Sequence, residues 1–322
     1  DKGGDSTMGE SQIHSTRKCM NKINKLLAET KLQRQNFGFK YSSSFFMAKL
    51  LKFKKFKTRK LAIKLLDKEF GYIFQKLSKK EYKPAAQLNK NIFVYWANGF
   101  NDLPPIVDLC LKNLKTYFFD YDIHLVDDKN LSKYIQLDQN ILTLYKSSFI
   151  TVQTFSDIIR FNLLYKYGGI WCDATLLFLE KLPLDSILQN YGFYSLNFKS
   201  CEKEKLWGKV YQITWSTFFL VSDKNNPNME ACVTFYNNYY KKHNYAIDYF
   251  MNDYMLILCS KYKSGNNQLA KIPSIDGHPF LITQWLYNDK IDLSVVKKIP
   301  QKLNWRLTKK EYERILCLIR QI

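Results

Sequence analysis

The sequence predicts an α/β fold, a mainly parallel sheet covered by helices, with a basic helical region ahead of it. Three observations predict this. From about residue 90 onwards, short runs of β-forming residues alternate with stretches of helical period. The formal charge of +20 is lopsided: residues 11–90 hold 21 Lys and Arg against four acids, while residues 91–322 hold 27 against 22. Hydrophobic residues make up 46% and charged residues 24%, which is enough for a core and excludes a disordered chain. The expected organisation is a tag remnant over residues 1–10, a basic helical region over 11–89 and one α/β domain over 90–322.

Asn91–Trp96 (NIFVYW) is a short apolar run of β-formers and reads as a buried strand. Asp102-Leu-Pro-Pro105 opens a helix with prolines in its first turn, where a missing N–H costs nothing. Ile106, Leu109, Cys110, Asn113, Leu114 and Tyr117 keep its period. Tyr121–Val126 alternates as a second strand ending at Asp127-Asp128, and a helical stretch runs to about Tyr145. Val152–Tyr167 is a denser helix. Val152, Phe155, Ile159 and Leu163 form one apolar stripe, and Ile158, Phe161 and Leu164 cover much of the other side, so little of it should meet water. Gly168-Gly169 ends it, and Ile170–Leu179 (IWCDATLLFL) reads as the next strand. Ligands of such sheets bind beyond the carboxyl ends of the strands, where Trp96 and Asp173 fall.

Several function classes drop out. No G-x-G-x-x-G follows the first strand and no P-loop pattern occurs, which argues against dinucleotide dehydrogenases and P-loop NTPases. Neither H-E-x-x-H nor G-x-S-x-G is present, so zincins and the common serine hydrolases are poor readings. Seven cysteines without C-x-x-C spacing fit neither a zinc module nor a disulfide framework and point to a reducing cytoplasm. The longest uncharged stretches are 13 residues, too short to span a bilayer. No basic-then-apolar leader opens the chain, so export is not expected.

Chemistry concentrates around the Val152–Tyr167 helix. Ser156, Asp157 and Arg160 share a gap between its apolar groups, and Asp157 and Arg160, three apart, share a face. The bland reading is an intrahelical ion pair. Asp173 shifts the balance, because an acid inside an apolar strand must be paired, bind metal or face a cleft.

Phe155-Ser-Asp-Ile-Ile-Arg160 followed by Tyr167-Gly-Gly-Ile-Trp-Cys-Asp173-Ala-Thr175 resembles the S-D-x-x-R…G-G-x-[WY]-x-D-x-[DT] core of GT-A glycosyltransferases with a D-x-D-type sugar-binding region. It is most similar to the bacterial capsular polysaccharide synthesis proteins, and more distantly to family 32 transferases and the clostridial glucosylating toxins. Pro104-Pro105, Trp215-Ser-Thr217 and Asp248-Tyr-Phe250 fit the same group, and the likeness covers about Asn91–Arg306.

The resemblance implies a nucleoside-diphosphate-sugar donor, with a UDP-sugar expected, a glycan acceptor and retention of configuration. It implies that Trp96 stacks on the base, that Asp157 and Arg160 bond the donor sugar, that Trp171 lines the pocket, and that Asp173 binds the ribose and the metal–diphosphate unit. Ser156, Ser216 and Thr217 are further candidate donor contacts. One departure matters: Thr175 stands where many relatives have a second aspartate, and a neutral hydroxyl is a weak ligand for a hard cation. Mn²⁺ or Mg²⁺ is therefore expected on Asp173 and Thr175 with help from His278 or Asp253. The rival class is a non-catalytic membrane- or nucleic-acid-binding adaptor built on a degenerate domain.

Phe45–Lys68 (FFMAKLLKFKKFKTRKLAIKLLDK) interleaves apolar and basic residues, with Met47, Leu50, Leu51, Leu61 and Leu65 at partly helical spacing. It reads equally as a solvated basic face of a packed helix and as an amphipathic segment on an anionic membrane. Nucleic acid stands well behind and is not expected as a partner. With a lipid-linked acceptor, the protein would work peripherally on the inner face of the cell membrane.

Overall fold

A computed structural model of the chain describes residues 6–51, 55–85, 89–197, 215–275 and 277–321. Two long helices come first, α1 (Ser6–Leu51) and α2 (Lys55–Ser78). Gly38 kinks α1 with φ 76° and ψ 176°, a conformation that glycine reaches without strain. On α2, Ala62, Leu66, Phe70, Ile73 and Phe74 recur every three or four residues and are all buried. Full burial of each larger side chain contributes about 1.5–3 kcal/mol. They join Tyr41 of α1 and the sheet residues in one hydrophobic core. The basic region is thus a packed layer of the body, and Lys57, Lys60, Lys64 and Lys68 face outward from it.

The body follows the expected alternation: β1 (Asn91–Tyr95), α3 (Pro105–Tyr117), β2 (Asp122–Val126), α4 (Leu131–Tyr134), α5 (Gln139–Lys146), α6 (Val152–Tyr167) and β3 (Gly169–Cys172). The stretch towards Tyr145 is two short helices, with Asp138 capping the second through a bond from the Asn140 amide. On α6, every apolar residue of both stripes is buried except Val152, which sits exposed in the first turn.

After β3 come β4 (Leu176–Leu177), α7 (Leu184–Tyr191), β5 (Phe193–Asn197), β6 (Trp215–Ser222) and α8 (Pro227–Lys242). Then follow α9 (Met251–Lys261), α10 (Ser264–Lys271), α11 (Leu281–Asn288), α12 (Leu293–Val296), β7 (Gln301–Lys302) and α13 (Lys309–Arg320). The main sheet has the order β2-β1-β3-β6-β5. β2 and β3 flank β1 in parallel, while β6 runs against β3 and β5. Four strands therefore share one direction, and the start of β6 meets their carboxyl ends.

The expected strand Ile170–Leu179 is broken. The chain leaves the sheet at Asp173, turns through Ala174-Thr175 with the Leu176 amide bonded to the Asp173 carbonyl (3.1 Å), and continues as β4. β4 pairs with β7, not with the main sheet. A second apolar cluster under it gathers Leu177, Leu179, Ile282, Val296 and Ile315.

Candidate active site

The Gly168-Gly169 turn sets up the site. Gly168 has φ 67° and Gly169 φ 99°, and an added Cβ would lie 2.5 Å from the Lys224 amide nitrogen at the first and collide with the Asn91 carbonyl oxygen at the second. Glycine is required at both positions, and the tight turn folds α6 back over the strand it feeds.

Beyond the carboxyl ends of β1 and β3 lies a cavity of about 780 Å³. Asp157, Arg160, Asp173 and Thr175 line it, as do Trp96, Ser156, Ser216, Thr217 and Asp253. Arg160 is buried and holds both acids: Nη1 lies 3.0 Å from Asp157 Oδ1, and Nη2 donates to Asp173 Oδ1 at 3.1 Å. Its guanidinium lies over the Trp171 ring at 5.0 Å.

Trp171 itself differs from expectation. It is 1% exposed and supports the site from beneath, without lining the cavity, donating from Nε1 to Asp173 Oδ1 at 2.8 Å. Phe93 of β1 is its partner in the parallel register, and both side chains belong to the main core.

Lys302 was not foreseen. Its Nζ donates to Asp173 Oδ2 (2.7 Å) and to Thr175 Oγ1 (2.8 Å). Asn252 was also missed; its amide donates to Asp157 Oδ1 (3.0 Å) and Thr217 Oγ1 (2.6 Å), tying α6, β6 and α9 together. Trp305 meets Trp96 edge to face at the cavity wall, with centroids 5.9 Å apart. Ser216 Oγ and Trp215 Nε1, of residues on the cavity wall, are buried without a hydrogen-bond partner among the described residues.

The two aspartates titrate in opposite directions. Burial raises the Asp157 carboxyl to about 7, and Arg160 offsets this only in part. Burial works the same way on Asp173, but Lys302 and then Arg160 outweigh it and hold that carboxyl below its ordinary value. Asp253 is pushed well above its ordinary value by burial and then by the charge of Asp157.

The donor set fits a divalent ion poorly. Mn²⁺ or Mg²⁺ needs several oxygen ligands, yet both oxygens of Asp173 are taken by N–H donors and the Thr175 hydroxyl faces the Lys302 ammonium. Asp253 reaches the cavity wall, but His278 is buried outside its lining, with Nδ1 accepting from the Phe280 amide (3.2 Å). Among the described residues no three His, Cys, Asp or Glu side chains gather as a ligand set; Asp276 lies outside those residues.

A second cavity of about 400 Å³ opens between the helical layer and the body, lined by Gln33, Phe45, Lys49, Arg59 and Asp248 among others. It shares Tyr249 and Phe250 with the first. The Arg59 guanidinium lies 4.4 Å over the Phe250 ring, with Nε 3.8 Å from Asp248 Oδ2.

The model of the family described as capsular polysaccharide synthesis protein matches residues 42–316, a stretch that contains every residue lining the first cavity. The chain belongs to this family. The chain is also 32% identical over 100 residues to O-glycosyltransferase braB of Annulohypoxylon truncatum. That match spans 27% of this chain and 23% of the relative, so the chain covers about a quarter of the relative's length. Among solved structures it is similar to PaToxG Glycosyltransferase, with 16% identity, a TM-score of 0.35, and coverage of 83% of this chain and 96% of that one. Among the described residues, no helix of the family member is long and apolar enough to cross a membrane.

Proposed function

We propose that this member of the capsular polysaccharide synthesis family is a glycosyltransferase that moves a hexosyl group from a nucleoside-diphosphate sugar, a UDP-sugar first, to a growing glycan. The observation that carries the reading is the Asp157–Arg160–Asp173 chain, set at the strand ends on the wall of a cavity large enough for such a donor. A planar Arg and an ionised Asp orient sugar hydroxyls. Trp96 and Trp305 offer ring faces for a base, and Ser216 and Thr217 offer hydroxyls.

In the step proposed, the C1–O bond to the β-phosphate breaks and its electron pair goes to the phosphate oxygen. The acceptor oxygen bonds C1 on the same face, so configuration is retained, and its proton passes to the departing diphosphate. The protein's main contribution is electrostatic, fixed positive charge near that leaving group. No side chain is assigned as a nucleophile.

A lipid-linked acceptor would place the protein on the inner face of the cell membrane. Met20, Ile23 and Leu27 are exposed at helical spacing on α1, with Lys22, Lys25 and Lys31 exposed beside them. Apolar insertion and cationic attraction, about 1 kcal/mol per Lys at an anionic surface, would act together there.

The test is release of nucleoside diphosphate from a panel of UDP-, GDP- and dTDP-sugars, with and without Mn²⁺. Release that depends on Arg160 supports the reading. A folded protein that binds and turns over none of them would favour the adaptor reading instead.

A further inference from the structure

We propose that Lys302 is the fixed cation that meets the departing diphosphate, in the place where the Asp173-Ala-Thr175 turn would otherwise call for a divalent ion. The inference rests on the donor-site reading above and deepens it.

The position of Lys302 is built by the backbone. β7 is only two residues long, and it exists because β4 turns out of the main sheet at Asp173 to pair with it, Leu176 opposite Lys302. The Lys302 amide donates to the Pro279 carbonyl (2.6 Å), and the Leu303 amide to the Thr175 carbonyl (2.9 Å). The same turn that carries Asp173 and Thr175 therefore delivers the lysine to them. Its side chain is 24% exposed, lines the cavity, and has Nζ 5.7 Å over the Phe218 ring.

The chemistry follows from donor counting. An ammonium has three N–H bonds; two go to Asp173 Oδ2 and Thr175 Oγ1, leaving the third for a ligand oxygen. Arg160 and Lys302 flank Asp173 from its two oxygens, so two cationic side chains converge on one acid, Arg160 reaching back to Asp157 as well. N–H donors already fill the oxygens of Asp173, so the turn suits an anionic diphosphate meeting the free Lys302 N–H better than a dication. In the transfer step Lys302 forms no bond and takes no proton. As the C1–O electron pair moves onto the phosphate, the ammonium supplies a charge-assisted hydrogen bond to the oxygen that gains charge.

A purely structural ion pair would look similar in the resting protein, so the test separates charge from contact. Wild type, Lys302→Arg, Lys302→Gln and Lys302→Met are titrated by calorimetry with inorganic pyrophosphate, UDP and GDP, each in EDTA and in Mn²⁺. Thermal melts are recorded alongside. The wild type is expected to bind pyrophosphate and one of the nucleotides in EDTA, with Mn²⁺ changing affinity less than about threefold. Gln keeps hydrogen-bond donors to Asp173 and Thr175 but lacks the charge, so Gln and Met should each lose about tenfold or more, while Arg stays near wild type.

Gln binding like wild type at an unchanged melting temperature overturns the inference. So does wild-type binding that appears only with Mn²⁺, which leaves the donor site standing. No binding under either condition overturns the donor site as well.

Discussion

Arg160 bonds Asp173 across the glycine turn that separates them by thirteen residues, and the same guanidinium reaches back one helical turn to Asp157. One cation thus fixes the spacing of two acids on different elements. Arg160→Ala and Asp157→Ala should each lower transfer by about a hundredfold or more, with a double mutant hardly worse than either single one. Kinetics on the folded fraction check this. Additive losses would mean that the two residues do not hold one ligand.

Asp173→Asn removes the charge that Arg160 and Lys302 share while keeping the side chain's shape. Transfer should fall by about a hundredfold or more. The melting temperature should drop by a few degrees, because buried Arg160 and partly buried Lys302 lose their common counter-ion. Wild-type turnover in this variant would remove Asp173 from the site.

The raised carboxyl of Asp157 gives a pH dependence with a definite sign. Its folded value of about 7 exceeds the ordinary 3.8, so between those values the fold keeps a proton that the unfolded chain has released. Its stabilising contribution is full below about pH 4 and is lost as pH rises to about 7, by up to about 1.4 kcal/mol per pH unit. Asp253 adds to the same slope. Denaturant melts from pH 5 to pH 7.5 should show stability falling as transfer rises, and Asp157→Asn should flatten the decline. A slope unchanged in that variant would mean Asp157 is already ionised at pH 5.

Gly169→Ala tests the turn. With φ at 99° and the Asn91 carbonyl in the way, an added methyl must push β3 from β1. A loss of about 2 kcal/mol or more is expected in urea melts, whereas a neutral effect would show that the turn relaxes freely.

On the helical layer, Phe70→Ala should cost about 3–5 kcal/mol, since the ring is fully buried against Phe235 and Tyr239. Replacing exposed Met20, Ile23 and Leu27 together by Ser should leave the melt unchanged yet abolish co-flotation with anionic vesicles at low salt. Co-flotation that survives would put any membrane contact elsewhere.

Local signals carried most of the fold. The strand at Asn91, the prolines of α3 and the Gly168-Gly169 stop are each legible within a few residues, and α6 advertises its burial by apolar groups on both sides. The first half of the site followed, because Asp157, Arg160 and Asp173 lie within seventeen residues of one another. Lys302 could not be seen, since its contacts span 127 and 129 residues and depend on β4 leaving the sheet. Charge counting identified the outer face of α2 but not its inner one. The buried stripe runs through Ala62, Leu66 and Phe70, one step around from the partly buried Leu61 and Leu65 that the pattern emphasised.

Tyr249 and Phe250 form a partition between the two cavities, and Arg59 from the helical layer braces it through the Phe250 ring. Trimming Phe250 would merge the chambers, and loosening Arg59 would let the ring swing. The room beside the first cavity is therefore set from α2, whose sequence holds none of the residues at the Asp157–Arg160–Asp173 chain. If the protein is the transferase proposed, variation along that helix would retune which acceptors are admitted while the Asp157–Arg160–Asp173 chain stays as it is.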